Sequence, residues 1–243
     1  LFANLYADVH FPLGIEYRLS FQPRYETMKE LYFRSTDVRL GGDPEQDLSM
    51  GRRSEYSRQE WILDNILKWN RTYGVHNFDV TLLFSLKKNQ YWSTTQSNQN
   101  ISPNEALGFH GIQFGDGPTI SNNDQIFTGD ALMARLNYTL MDKYLLTASI
   151  RRDGFSAFGQ EQPRAVFPAA ALAWQISREG FYDEDWFVNR LKMRLSWGSN
   201  GNRDIGIYSA LARLNSDLWF DGTTPRVGLF NSSLANPGLI WEK

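Results

Sequence analysis

The stretch Tyr144–Gly159, YLLTASIRRDGFSAFG, predicts a β-strand with one apolar and one polar side. Side chains along a strand alternate between its two faces with a period of two residues. Here the apolar parity holds Leu146, Ala148 and Ile150, and the polar parity holds Thr147, Ser149 and Arg151. The strand then enters a charged cluster, Arg151–Asp153, followed by a glycine-containing turn. A sheet of such strands would meet apolar surroundings on one side and water on the other.

The same alternation recurs along the chain, and its recurrence separates it from chance. Further windows lie at residues 15–25, 61–69, 78–86, 132–138 and 191–197. Strands of about 9–11 residues can cross a bilayer when tilted, and a lipid-facing Lys or Arg at the midplane costs about 2–4 kcal/mol, so charge should keep to one parity. In these windows it does so. We expect this polar parity to line a water-filled lumen through Glu16, Arg18, Arg24, Asp64, Lys68, Asp79, Lys87, Arg135, Arg151 and Arg194.

Short and long connections alternate between the windows. The short ones, at residues 12–14, 73–75 and 141–143, have the length of tight hairpin turns. The long ones, at about 26–55, 93–129 and 154–166, are rich in Gly, Asn, Ser, Asp and Pro. All tight turns then lie at one rim of the sheet and all long loops at the other, as in an outer-membrane barrel. The predicted fold class is all-β, a partial antiparallel up-and-down transmembrane β-barrel with about ten strands of a larger barrel.

Composition narrows the possible classes of function. Aromatic residues make up 14% of the chain and charged residues 21%, a pairing that suits strands with one apolar and one wet face. The net charge of −2 provides no basic field for a nucleic-acid backbone, so no nucleic-acid partner is expected. The chain contains no cysteine, which removes thiolate metal sites. The longest nearly apolar run, residues 165–174, is far shorter than the roughly 20 residues of a membrane helix, so a membrane role would have to use strands.

Several ordered motifs resemble the SusC/RagA family of TonB-dependent outer-membrane transporters. YLLTASIRRDGFSAFG is similar to that family's YLLTASxRRDGSSRFG segment. The other matching stretches, in chain order, are DNIL at 64–67, GVHN at 74–77, RLNY at 135–138, FPAAALAW at 167–174, LKMRLSWGSNGNRDIGIY at 191–208 and NPGLIWEK at 236–243. Phe155, Ala157 and Ser199 depart from the family pattern, which affects loop details.

The resemblance implies a function and a set of partners. It implies energised import of oligosaccharides or peptides across the bacterial outer membrane, with a SusD-like lipoprotein lid above the barrel. TonB would act through an N-terminal part that is missing here, and outer-membrane lipid would surround the wall. Family members close a barrel of 22 strands around a plug domain. We therefore expect residues 1–243 to be part of the barrel domain, with the plug domain, signal peptide and remaining strands absent, because open sheet edges in lipid are untenable.

Two other classes of protein remain open at this point. One is a soluble all-β carbohydrate-binding module or glycosidase fragment, whose aromatic residues would form a glycan groove. The other is a siderophore or vitamin receptor of the same TonB-dependent fold, which would have no stable lipoprotein lid. A soluble module would stay in solution without detergent, whereas a barrel would need detergent. A siderophore or vitamin receptor would pull down no lipoprotein, whereas a SusC-like transporter would.

Candidate binding residues are aromatic, and no catalytic residues are predicted. The long-loop rings are the substrate-binding candidates: Tyr91, Trp92, Phe109, Phe114, Phe155 and Phe158. Rings on the apolar parity are expected instead to form an aromatic girdle at the bilayer interface. The girdle candidates are Tyr6, Tyr17, Trp61, Trp69, Tyr138, Trp174 and Trp197. Arg151, Arg152 and Asp153 are interpreted as a structural ion-pair network at the rim. The three histidines lack metal-ligand spacing, so neither a metal nor a cofactor is expected, and the protein is not expected to be an enzyme.

Overall fold

The protein is built almost entirely from antiparallel strands. The structure, a computed structural model, describes residues 1–36, 48–101, 105–183, 187–220 and 222–242. Its strands are β1 (Leu5–Phe11), β2 (Ile15–Arg34), β3 (Met50–Tyr73), β4 (His76–Gln99), β5 (Thr119–Leu140), β6 (Tyr144–Phe155), β7 (Arg164–Gln175), β8 (Lys192–Gly198), β9 (Arg213–Phe220) and β10 (Pro225–Ser233). Short 3₁₀ segments lie at Pro12–Gly14, Glu105–Phe114 and Ile176–Arg178. Within the described ranges, no helix is both long enough and apolar enough to cross a membrane.

Sheet topology confirms the predicted up-and-down order. Strands β1 to β8 form one eight-stranded sheet in which neighbours in sequence are neighbours in space, and β9 pairs with β10 in a second, two-stranded sheet. The three tight turns lie where they were predicted, between β1 and β2, β3 and β4, and β5 and β6. Among the described residues, β1 and β8 are the edge strands of the larger sheet.

The strands are much longer than the alternating windows predicted, and the long links are correspondingly shorter. Strands β3 and β4 each contain 24 residues, and β2 and β5 contain 20 and 22. The extra length lies in polar sequence such as residues 89–99, NQYWSTTQSNQ, which lacks an apolar parity. The backbone ladder continues there because it needs only paired N–H and C=O groups, whereas a period-two pattern needs one buried face. The predicted loop position of Tyr91 and Trp92 was therefore wrong, since both lie in β4. The predicted loop position of Phe155 was also wrong, since it is the last residue of β6.

The chain divides into two compact units, and β2 to β5 contribute residues to both. The first unit comprises Leu1–Ala3, Pro23–Trp61 and Asn89–Ile126. Its most buried polar side chain is Ser49, 2% exposed, whose hydroxyl accepts a hydrogen bond of 2.7 Å from the backbone N–H of Ile101. Tyr56 donates to Glu26 at 3.0 Å in the same unit. Polar contacts thus contribute to the interior of this unit.

The second unit comprises Asn4–Gln22, Ile62–Lys88 and Phe127–Lys243, and its strand register separates two faces. On one side of β5–β8, hereafter the apolar face, the cross-strand rows include Tyr138–Leu146–Leu172–Leu195 and Leu136–Ala148–Ala170–Trp197. On the other side, hereafter the polar face, they include Asn137–Thr147–Ala171–Ser196 and Arg135–Ser149–Ala169–Gly198. Because a one-residue slip would exchange the faces, the observed register is what keeps Arg135 and Arg151 away from the apolar face.

A hydrophobic cluster joins β6, β7 and the last described residues of the second unit. Phe155, Phe158 and Trp241 are its largest buried members, and the Trp241 ring stacks on Phe158 with centroids 4.7 Å apart. The backbone N–H of Gly159 donates to the carbonyl of Leu239 at 2.9 Å, and a Cβ at Gly159 would overlap the carbonyl oxygen of Pro237. The end of the chain is thereby packed onto the turn after β6.

Candidate functional site

A polar concavity on the second unit is the best-formed candidate site. Its volume is about 330 Å³. Its lining comes from β3, β4, β5, β6 and the segment after β8: Ile62, Asp64, Leu83, Ser85, Lys87, Phe127, Gly129, Asp130, Ala131, Arg151, Asp153, Gly154, Phe155 and Arg203. Three residues that were predicted to line a lumen lie together in this concavity: Asp64, Lys87 and Arg151.

An ion pair lies at the centre of this lining. The Nε of Arg151 donates to both carboxylate oxygens of Asp153, at 2.9 and 2.7 Å. Residues i and i+2 of a strand share a face, so the pairing follows from the local sequence. Asp64 lies near enough to Arg151 to interact with it electrostatically. Arg151 and Asp153 therefore form an ion pair, whereas Arg152 lies on the apolar face near Asp130. That the predicted network is structural rather than substrate-contacting stays a prediction.

Two further cations lie over aromatic rings of the concavity. Lys87 Nζ is 5.8 Å from the ring centroid of Phe127, and the guanidinium of Arg203 is 5.6 Å from that of Phe155. A cation within about 6 Å of a ring is attracted by the ring's quadrupole. The site therefore combines fixed charges of both signs with apolar surface. Such a lining suits a polar ligand with several hydrogen-bonding groups better than a purely apolar one.

Other residues predicted to line a lumen form local pairs. Arg18 donates from Nε and Nη2 to the carboxylate of Asp8 at 2.6 and 2.8 Å. Glu16 lies 3.5 Å from His10, and Arg24 lies 2.8 Å from Glu26 in the first unit. Lys68 lies in β3, Arg135 pairs in register with Ser149, and Arg194 pairs with Ala173. These placements keep each residue on the predicted parity; that they line a lumen stays a prediction.

A hydrogen-bonded relay crosses three strands on the polar face. Asn137 donates to Asp79 at 3.0 Å, and Thr147 donates to Asn137 at 2.9 Å. On the apolar side of the same strands, His76 Nδ1 lies 2.7 Å from the Tyr138 hydroxyl. The segments GVHN and RLNY thus lie side by side, which explains why both carry polar side chains at these positions.

The substrate-binding candidates divide between the two units, four in the first and two in the second. Phe109 and Phe114 lie in the 3₁₀ segment of the first unit, and Tyr91 packs against Tyr56 with centroids 5.6 Å apart. Phe155 and Phe158 are only 9% and 4% exposed, which leaves little ring surface for a ligand. Trp92 is 44% exposed.

Two of the girdle candidates, Trp69 and Trp174, make hydrogen bonds near the tight turns. Trp69 Nε1 donates to the carbonyl of Leu13 at 3.2 Å, and Trp174 and Tyr144 both donate to Glu179, at 3.0 and 2.6 Å. Tyr6 is an exception, because it pairs in register with Ser20 on the polar parity, with the Arg18 guanidinium 5.1 Å from its ring centroid. Strand register places it away from the apolar rings.

Sequence reasoning missed Asp130, Phe127 and Arg203 in the lining of the concavity. The carboxylate of Asp130 accepts from Arg164, on the apolar face. Asp130 and Phe127 lie in the polar extension of β5, where no alternation marks a strand. Arg203 follows the GN pair after β8 and reaches the concavity only through the tertiary fold. Within the described part of the chain, no group of His, Asp and Glu side chains has a metal-holding arrangement.

Sequence comparisons relate the chain to receptors. No protein-family model matches it. It is 26% identical to the TonB-dependent receptor P3 of Formosa agariphila over 242 residues, which is 99% of this chain and 24% of that protein. It is 31% identical to the TonB-dependent receptor P39 of the same organism, over 79% of this chain and 18% of that protein. It is 34% identical to the TonB-dependent receptor SusC of Bacteroides thetaiotaomicron, over 45% of this chain and 11% of that protein.

Structural comparison gives the same fold. The chain superposes on the RagAB peptide transporter with a TM-score of 0.84 at 17% identity, covering 98% of this chain and 26% of that one. The RagAB peptide importer in its closed-closed state gives a TM-score of 0.78 at 18% identity. The chain spans about a quarter or less of the length of each relative described here.

Proposed function

The chain is a homologue of TonB-dependent receptors, SusC among them, and we propose that it forms part of the barrel wall of a bacterial outer-membrane importer of the SusC kind. In this proposal residues 1–243 belong to the barrel domain, and the rest of the protein supplies the plug and the remaining strands. Transport is binding and gated passage without covalent chemistry.

The separation of the two faces over β5–β8 carries this proposal. Leu172 and Leu195 are 57% and 71% exposed on the apolar face. The residues next to them in sequence, Ala171 and Ser196, belong to a row on the polar face. Large exposed apolar surface is unfavourable in water and favourable in lipid. With the tight turns at one rim and the long connections at the other, the turns would face the periplasm and the loops the outside.

Oligosaccharides and peptides are the proposed substrates. The concavity around Arg151 has charges of both signs beside the rings of Phe127 and Phe155, a combination that can bind hydroxyl or peptide groups. The fold shared with the RagAB peptide transporter favours a peptide, and the resemblance of the sequence motifs to the SusC/RagA family favours either class. A SusD-like lipoprotein lid and TonB are the proposed partners.

The test uses the complete protein in its native host. We expect it to require detergent for extraction, to migrate as a heat-modifiable species and to co-purify with a surface lipoprotein. We also expect its deletion to abolish growth on either an oligosaccharide or an oligopeptide as sole source. A monodisperse protein in detergent-free buffer contradicts the barrel and favours the soluble carbohydrate-binding module. A detergent-dependent protein that imports a siderophore or vitamin without a lipoprotein contradicts the SusC-like assignment alone.

A further inference from the structure

An arginine pair with one carboxylate lies on the apolar face of the second unit, at the end of the strands away from the tight turns. Arg164 of β7 donates from Nε and Nη2 to Asp130 of β5 at 3.0 and 3.1 Å. Arg152 of β6 lies 3.9 Å from the same carboxylate. The bidentate contact occupies Asp130 with Arg164, so the cluster keeps a net charge of +1.

The register places this cluster at the boundary of an apolar band. From the tight turns outward, the rows on the apolar face of β5–β7 are Leu140–Tyr144–Trp174, Tyr138–Leu146–Leu172, Leu136–Ala148–Ala170, Ala134–Ile150–Pro168, Leu132–Arg152–Val166 and Asp130–Gly154–Arg164. The first row is aromatic, the middle rows are apolar and the last two contain all three charges.

The height of the band matches a bilayer. Arg152 lies eight residues beyond Tyr144 in β6, and the Arg164 row lies ten residues beyond it. At about 3.4 Å per residue and a tilt of about 40°, these separations correspond to about 21 and 26 Å across the membrane, against an apolar band of about 25 Å in such barrels. The arginines thus lie at the depth of lipid headgroups, opposite the aromatic row.

An apolar groove leads from Arg152 along the same face. It has a volume of about 580 Å³, and its lining includes Leu82, Leu132, Ile150 and Val166 together with Arg152. The side chains of Arg152 and Arg164 are 46% and 50% exposed. A molecule with an acyl chain in the groove would bring its headgroup beside two guanidinium groups.

We propose that Arg152 and Arg164 bind the phosphate of a phosphorylated lipid headgroup, with an acyl chain of the same lipid in the groove. Guanidinium groups bind phosphate through charge-assisted, often bidentate hydrogen bonds, and this cluster has an excess of positive charge. The position at the end of the apolar rows favours a lipid over a free anion. This inference rests on the proposed membrane location.

The test measures binding of diphosphoryl lipid A to the complete protein in zwitterionic detergent, by native mass spectrometry. We expect R152Q and R164Q each to weaken binding about fivefold to tenfold, and the double variant to weaken it further. D130N removes the competing carboxylate and should strengthen binding several-fold. The matched control is R178Q, which removes an arginine that lies 3.7 Å from Asp142 at the tight-turn end, and it should leave binding unchanged.

Each other outcome identifies what fails. Equal binding by the wild type and the double variant overturns the inference, as does weaker binding by a D130N protein that is still heat-modifiable. Equal binding of fully dephosphorylated lipid A overturns headgroup recognition. Competition by millimolar inorganic phosphate as strong as by the lipid would show a free-anion site instead. A protein that needs no detergent defeats the proposed function itself, whereas a detergent-dependent protein without lipid selectivity defeats only this inference.

Discussion

The hydroxyl of Tyr144 donates a hydrogen bond of 2.6 Å to the carboxylate of Glu179. Lys143 Nζ and Trp174 Nε1 donate to the same carboxylate at 2.9 and 3.0 Å, and the Glu179 side chain is only 13% exposed. Glu179, the residue that follows the 3₁₀ segment Ile176–Arg178, thus joins the beginning of β6 to the end of β7. The arrangement ties Tyr144 and Trp174 to the segment that follows β7.

The pH dependence of stability should report this contact. Hydrogen bonds from Tyr144, Lys143 and Trp174 lower the pKa of Glu179 from 4.5 to about 2. A lowered folded-state pKa means that the stabilisation is complete above about pH 4.5 and is lost as the pH falls toward 2. We expect E179Q to lower stability at pH 7 and to flatten the acid side of the profile, measured by thermal unfolding in detergent. E161Q, at an exposed glutamate, is the control, and an unchanged acid limb in E179Q would contradict the prediction.

Membrane exposure of the apolar face is testable with two neighbouring alanines. Ala170 lies on the apolar face in the row of Ala148, and Ala171 lies on the polar face in the row of Thr147. In lipid, A170R should cost about 2–4 kcal/mol in folding free energy near the midplane. A171R should cost much less, because its side chain meets water. In a soluble protein the exposed Ala170 would accept arginine within about 0.5 kcal/mol, so equal stability of both variants would contradict the barrel.

The aromatic cluster predicts a large effect at the end of the chain. Trp241 is 8% exposed and contacts the rings of Phe158 and Phe167, so W241A should cost about 3–5 kcal/mol. W219A, which removes a tryptophan that is 62% exposed on β9, should cost less than about 1 kcal/mol. Chemical unfolding of both variants in detergent measures the difference. Similar values would show that the Trp241 cluster is not a core.

Substitutions of two hydrogen-bonded residues on the apolar parity, Tyr17 and Asn65, should have coupled effects on folding free energy. The Tyr17 hydroxyl donates to Asn65 Oδ1 at 2.6 Å, and both residues line the apolar groove. Y17F leaves the Asn65 amide without this partner and should cost about 1–3 kcal/mol. N65L alone leaves the hydroxyl unpaired, whereas Y17F/N65L removes both polar groups and should recover most of the loss. A double-mutant cycle on folding free energy tests this, and simple additivity would contradict it.

The polar concavity should influence uptake. R151Q removes the cation that donates to Asp153. The carboxylates of Asp64 and Asp153 stay in the lining without this positive charge. We expect it to reduce the rate of substrate uptake by cells about tenfold, equivalent to roughly 1.4 kcal/mol of lost interaction. R226Q, on β10 of the separate two-stranded sheet, should leave uptake unchanged. Full uptake by a stably inserted R151Q protein would exclude this concavity from the substrate path.

Local alternation was sufficient to predict part of each of β2–β6 and β8, the faces of these strands and the tight turns. Arg151 and Arg152 illustrate this, since their opposite parity alone predicts opposite faces, and Ser149 and Ile150 agree. Side-chain direction in a strand is a local property with period two, so it is legible without any partner strand. The pairing of Arg151 with Asp153 is local for the same reason.

Long-range register and packing required the tertiary structure. The polar extension that holds Tyr91 and Trp92 shows no apolar alternation, because many of its buried and half-buried side chains are polar. Its strand character comes from backbone pairing with neighbours. Trp241 meets Phe158 only because the chain end returns to the turn after β6. Likewise Asp130, Arg152 and Arg164 belong to three strands, and only their register brings one carboxylate to two guanidinium groups. Parity along one strand cannot specify which residues of another strand lie opposite, since that depends on where every ladder begins.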